Sequence, residues 1–211
     1  FFIKPAGGFV YKIKDSIVQR IDNVNLHKNQ IKSNTFIYND TIFKFGGFGP
    51  FGTKKFFTYY SESSGDWEIY EEVDNEVRPP GLYAAKSFLI EDDYYVLGGN
   101  VSEEYAASSS QANRELWHFS FATKTWDRLH VFEQDMSIYN KFDFVHKDVF
   151  YFIVDKNLHA LNPKKFTHTI FRPCDILPKI SKKFPAFVKD DELYFLLNAN
   201  SREDLRYSMS K

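Results

Sequence analysis

Six histidines, one cysteine and several acidic runs are the residues of this chain that could do covalent or metal chemistry. A metal site needs imidazole, thiolate or carboxylate groups converging on one ion. His27, His118, His130, His146, His159 and His168 share no motif. His118 and His130 flank one segment, but spacing alone does not make them a ligand pair. For His168 no second histidine is expected at ligand spacing, so a core or rim role is expected. Cys174 lies in Arg172-Pro173-Cys174-Asp175, which reads as a connection between elements. Hydrolysis would need a nucleophile beside a base, or two carboxylates held together. Glu71-Glu72, Glu91-Asp92-Asp93, Glu103-Glu104 and Asp190-Asp191-Glu192 all fall at turns or strand ends, where solvated charge is the ordinary explanation. Gly46-Gly47-Phe48-Gly49 lacks the following helix that a phosphate-binding loop requires. The expectation is no catalytic residue, no metal ligand and no cofactor.

Binding chemistry has better support. Phe48, Pro50, Phe51, Lys54 and Lys55 occupy one glycine-rich loop, and Glu103, Glu104, Tyr105 and Arg114 another. Aromatic residues mixed with charges are typical of protein interfaces. The candidate binding residues are therefore Phe48, Phe51, Lys54, Lys55, Tyr105 and Arg114. The competing reading is that Phe48 and Phe51 only pack on a neighbouring loop. Asn39-Asp40-Thr41 and Asn100-Val101-Ser102 match the glycosylation triplet, a short pattern that arises easily by chance.

The elements that hold these loops repeat. Phe43-Lys44-Phe45-Gly46-Gly47 is followed by Tyr60 and Trp67; Tyr94-Tyr95-Val96-Leu97-Gly98-Gly99 is followed by Phe119 and Trp126. Tyr60 precedes Trp67 by seven positions, and Phe119 precedes Trp126 by seven. Leu161 with His168, and Tyr11 with Val18, repeat the interval in weaker copies. A nearly continuous apolar run reads as a strand buried on both faces. A closing glycine pair permits positive φ and close backbone approach. Fixed-period copies of this kind predict a β-propeller, each blade a four-stranded antiparallel sheet, with the aromatic and the tryptophan filling the space between blades. The chain is expected to be a single all-β domain over 1–211. It divides into a partial blade 1–30, blades 31–77, 78–135 and 136–178, and a partial blade 179–211. Four to five blades are visible. The chain opens inside an apolar strand, so it is expected to be a piece of a larger ring of six or seven blades.

These residues resemble the kelch repeat, with Phe45-Gly46-Gly47, Tyr60, Trp67 and Leu97-Gly98-Gly99, Phe119, Trp126 as its best copies. The resemblance implies a propeller whose loops on one face bind a protein or small ligand. It also includes a copper-radical branch, galactose oxidase, which needs two Tyr and two His on copper with one Tyr joined to a Cys. The position of Cys174 and the scattered histidines do not match that set. Gly7-Gly8-Phe9-Val10-Tyr11-Lys12, Ile17 to Asn23, His27-Lys28-Asn29-Gln30 and Phe45 to Gly49 are similar to bacterial kelch proteins of the Bacteroidetes type. Some of those join a propeller to a membrane helix and a DNA-binding segment, which implies an extracytoplasmic sensory domain as the alternative function. The chain departs from many kelch repeats in lacking Arg and His in Gly81 to Lys86.

Composition limits the partners. Twenty-seven basic and 28 acidic residues give a net charge of −1, so no global field draws nucleic acid or an anionic membrane. Aromatics make up 18% of the chain, which favours strands. No apolar run is long enough to span a membrane as a helix. One cysteine excludes an internal disulfide framework and leaves the compartment open. A periplasmic or extracytoplasmic location follows if the sensor resemblance holds, and a cytoplasmic one otherwise.

Overall fold

The computed structural model describes residues 2–4, 8–23, 30–49, 52–73, 76–102, 110–136, 143–155, 157–171, 186–189, 192–195 and 205–208. Every regular element among them is a β-strand, and all pairings are antiparallel. β1 (Phe2–Lys4), β2 (Phe9–Lys14) and β3 (Ile17–Arg20) form a three-stranded sheet in that order. Next come β4 (Asn34–Tyr38), β5 (Thr41–Phe45), the short ribbon β6 (Phe48–Gly49) with β7 (Gly52–Thr53), then β8 (Phe57–Ser61) and β9 (Asp66–Ile69). Their sheet is ordered β4-β5-β8-β9, with the ribbon outside it. The pattern recurs in β10 (Lys86–Ile90), β11 (Asp93–Leu97), the ribbon β12 (Asn100–Val101) with β13 (Gln111–Ala112), β14 (Glu115–Ser120) and β15 (Thr125–Val131). β16 (Asp143–His146), β17 (Val149–Val154), β18 (Asn157–Asn162) and β19 (Thr167–Phe171) form a third four-stranded sheet. β20 (Ala186–Lys189), β21 (Glu192–Phe195) and β22 (Leu205–Ser208) form a last three-stranded one. No described sheet closes on itself.

Turn chemistry sets the register. Asn39-Asp40 and Lys147-Asp148 both carry positive φ, at 45° and 57° and at 48° and 62°. Positive φ at both central residues matches the twist of two-residue hairpins. The third and fourth strands of each four-stranded sheet are instead joined across four residues. That loop length places Tyr60 opposite Trp67, Phe119 opposite Trp126 and Leu161 opposite His168. The seven-residue interval is thus a directly opposed cross-strand pair. Tyr11 and Val18 do not belong to the series. Their hairpin turns at Asp15-Ser16, and its two-residue turn pairs Tyr11 with Arg20 and Ile13 with Val18.

Gly46 and Gly98 take φ of 69° and 65°. A Cβ on Gly46 would run into the Leu82 carbonyl, and one on Gly98 into the Met136 carbonyl. The third sheet lacks the pair. There Asp155 holds φ 47°, and Val154 pairs with Asn157, so the connection shrinks to a two-residue turn with no ribbon. Both ribbons were expected as irregular loops.

The contacts divide the chain into two units. One is Phe1–Ser87 with Asp92–Ser137; the other is Phe88–Glu91 with Ile138–Lys211. The first is centred on Phe45, Phe57, Tyr94, Phe119 and Trp126, all buried. Trp126 stacks on Phe57, with ring centroids 5.4 Å apart and planes 6° apart, and touches Phe45 at 4.9 Å and Phe119 at 5.0 Å. The tryptophan of one sheet thereby packs on the aromatics of the preceding sheet. Trp67 clusters with Val10 of the preceding sheet and with Ile42 and Tyr60 of its own. Each such ring contributes at least the roughly 1.5–3 kcal/mol of a fully buried large side chain. In the second unit Phe88 stacks on Phe150 at 4.1 Å and Phe150 on Phe152 at 5.0 Å.

Candidate functional site

The glycine pairs end β5 and β11 and hand the chain to the two ribbons, which are tied to each other. Thr53 Oγ1 donates to the Ser102 carbonyl at 3.0 Å. Tyr83 and Asn100 exchange backbone bonds at 3.0 and 2.9 Å, as do Ile31 and Phe48 at 2.8 Å. Beneath this layer, buried amides satisfy the glycine carbonyls that strand pairing leaves open. Gln30 Nε2 donates to Gly46 O at 2.9 Å while its Oε1 accepts from Thr58 Oγ1 at 2.6 Å; Asn113 Nδ2 donates to Gly98 O at 3.2 Å. A buried polar group left unpaired costs about 1–3 kcal/mol, so these bonds fix the loop bases.

Phe48 is half-buried, its ring 5.9 Å from that of Tyr83. Lys54 is half-buried, its backbone bonded to Gly47 O and Leu82 N, and Lys55 is exposed. Arg114 is exposed at the corresponding end of the second sheet, where Nη1 donates to Glu133 O at 3.0 Å. Phe51 and Tyr105 lie outside the described residues. Two residues join the patch that the sequence reading did not name, Tyr83 and Lys32, whose ammonium lies 5.8 Å from the Tyr83 ring. Tyr83 sits just past Pro79-Pro80-Gly81 and reads only as part of a connection; its bridge to Asn100 is long-range and carries no local signal.

A second cluster is buried. Lys44, only 2% exposed, holds its Nζ 3.9 Å above the Trp67 ring. Burial pushes its pKa down to about 8, and the Asp22 carboxylate opposes that fall. Asp22 accepts Val10 N at 2.7 Å and pairs with Arg20 at 2.8 Å, while Trp67 Nε1 donates to Gly8 O at 2.7 Å. Glu72 occupies the matching place one sheet on. It accepts Phe57 N at 3.4 Å and Trp126 Nε1 at 3.0 Å, and burial raises its pKa. Glu72 is therefore a structural acceptor joining two sheets and not the solvated charge expected of Glu71-Glu72; Glu71 is exposed.

The histidines fall into separate settings. His118 Nε2 lies 2.8 Å from Asp93 Oδ1, with Asp127 3.6 Å from its Nδ1, while His130 packs against Phe132. The expectation that His168 has no histidine partner is corrected. His159 Nδ1 lies 2.9 Å from His168 Nε2. His159 is buried and faces Phe152 across the strand pair, whereas His168 is exposed. Burial and the neighbouring His168 push the His159 pKa down to about 4. The seven-residue interval contained the signal, because it sets Leu161 opposite His168 and so puts residue 159 on the same face as His168. Among the described residues no three His, Cys, Asp or Glu converge as a metal set, and no helix is long and apolar enough to cross a membrane.

These sheets define an all-β protein built from repeated four-stranded antiparallel sheets, with ribbons at the end where the glycine pairs sit. No family model and no curated protein matches the chain. Among solved structures it is similar to one described as "Structure of YjhT", with a TM-score of 0.65 and 13% identity. The match covers 88% of this chain and 65% of that one, so the chain spans less than two thirds of that structure's length. At this identity the likeness concerns the fold alone.

Proposed function

We propose that the chain is part of a kelch-type β-propeller and acts as a non-catalytic binding module, taking a protein or small ligand on the loops beyond its glycine pairs. One observation carries this reading: the ribbons of two successive sheets are tied together through Thr53 and Ser102. The shared loop layer bears Phe48, Tyr83, Lys32 and Lys54. Fixed loops on a rigid sheet scaffold are the usual setting for recognition, because the scaffold has already met the ordering cost. The repeated glycine ends and the tryptophan that reaches the preceding sheet support the propeller reading.

The test compares the tag-free chain with a Lys54→Ala/Lys55→Ala/Arg114→Ala variant on glycan and peptide arrays, followed by titration of any binder. The expected result is a ligand class bound by the parent chain and weakened at least tenfold in the variant. Unchanged affinity in the variant, or no binder on either array, would overturn the reading.

A further inference from the structure

We propose that His159 and His168 form a two-imidazole site for a divalent transition metal of the Cu(II) or Ni(II) class. The pair is built by the strand register of β18 and β19. Leu161 faces His168 and His159 faces Ile170, so the two histidines are diagonal neighbours on one face of the sheet. Their facing nitrogens, His159 Nδ1 and His168 Nε2, are 2.9 Å apart. Two nitrogens about 2.0–2.1 Å from one metal lie roughly 2.9 Å apart when they subtend a right angle, and roughly 3.4 Å apart at the tetrahedral angle. In the apo chain this separation is a hydrogen bond with the two rings nearly end to end, their centroids 5.1 Å apart. A turn of the exposed His168 ring aims both lone pairs at one ion at the right-angled spacing of a square or tetragonal Cu(II) or Ni(II), whereas tetrahedral Zn(II) also needs the nitrogens to part.

The surroundings favour a preformed pair. His159 is 1% exposed and stacks on Phe152 with ring centroids 5.2 Å apart, so its ring is fixed. His168 lies on a strand whose residues are all exposed, which gives an ion access from solvent. Asp155 adds negative charge close enough to favour a cation beside His159. Metal entry takes the lone pairs of His159 Nδ1 and His168 Nε2; the proton that lay between them passes through water to the other nitrogen of the ring that held it, so both rings bind as neutral imidazoles, and water fills the remaining coordination positions.

The experiment is a Cu(II) titration of the tag-free full chain near pH 7.5, read by calorimetry and by electron paramagnetic resonance. His168→Asn is the test variant, chosen because the side chain is exposed. His130→Asn removes an exposed histidine elsewhere and serves as the control. The expected result is one equivalent of Cu(II) with two-nitrogen coupling in the parent and control chains, weakened at least tenfold in His168→Asn with unchanged circular dichroism. Equal binding by His168→Asn and the parent chain, or a spectrum lacking two nitrogen ligands, would overturn the proposal.

Discussion

Replacing Lys44 by Met is expected to stabilise the protein at neutral pH. A fall in pKa from 10.5 to about 8 corresponds to a penalty of roughly 3.4 kcal/mol on the charged amine in the folded chain relative to the unfolded one. The contact of Nζ with the Trp67 ring at 3.9 Å returns up to about 2 kcal/mol to the charged form, the upper range for a desolvated cation on an aromatic face. Met keeps a similar length of apolar stem and removes the charge, so a net gain of about 1–2 kcal/mol is expected at pH 7. The pH dependence has a fixed sign. The folded chain holds fewer protons at Lys44 than the unfolded chain between pH 8 and 10.5, so the parent gains stability as pH rises through that window. The advantage of Lys44→Met therefore shrinks from pH 8 upward. Urea unfolding of both chains at pH 7 and pH 10 measures it, and titrations common to both cancel in the difference. A loss of more than about 1 kcal/mol at pH 7, or an advantage that grows with pH, would refute the reasoning.

Two further substitutions probe the repeat itself. Gly98→Ala forces φ of 65° on an L-residue and drives its Cβ into the Met136 carbonyl, so a loss of about 2 kcal/mol or more is expected in urea unfolding. A loss below about 0.5 kcal/mol would mean the backbone there relaxes freely. Trp126→Ala empties the space between Phe45, Phe57 and Phe119 and strips Glu72 of its indole donor, with an expected cost of about 3–5 kcal/mol. A melting temperature unchanged from the parent would show that this tryptophan does not join the two sheets.

The parts of the fold visible in the sequence are those encoded by neighbours along the chain. Gly46-Gly47, Gly98-Gly99 and the two-residue turns carry backbone requirements that only a few residue types meet, so they punctuate the strands correctly. The interval from Phe119 to Trp126 worked because it spans one hairpin. The same interval from Tyr11 to Val18 misled because turn length, and not spacing alone, decides which residues face each other. Lys44 was hidden inside an apolar run, where its burial depends on Trp67 and Asp22, more than twenty residues away in either direction. Gln30 and Asn113 were invisible for the same reason: each serves a glycine carbonyl about 15 residues away. Loop composition singles out Phe48, Lys54 and Arg114 as candidates, whereas Tyr83 and Lys32 come beside Phe48 only through pairings between distant segments.

The double use of Glu72 has a consequence for how such a chain changes over time. One carboxylate holds the third strand of its own sheet through Phe57 N and the tryptophan of the following sheet through Trp126 Nε1. The joint between sheets is thus carried partly by the repeat before it and partly by the repeat after it. Duplicating one whole repeat copies both halves of the joint, so an array can lengthen without inventing a new junction. A change to the acid alone, or to the tryptophan alone, breaks a junction and leaves a buried donor or acceptor behind. The two positions are therefore bound to a shared inheritance, although 54 residues separate them.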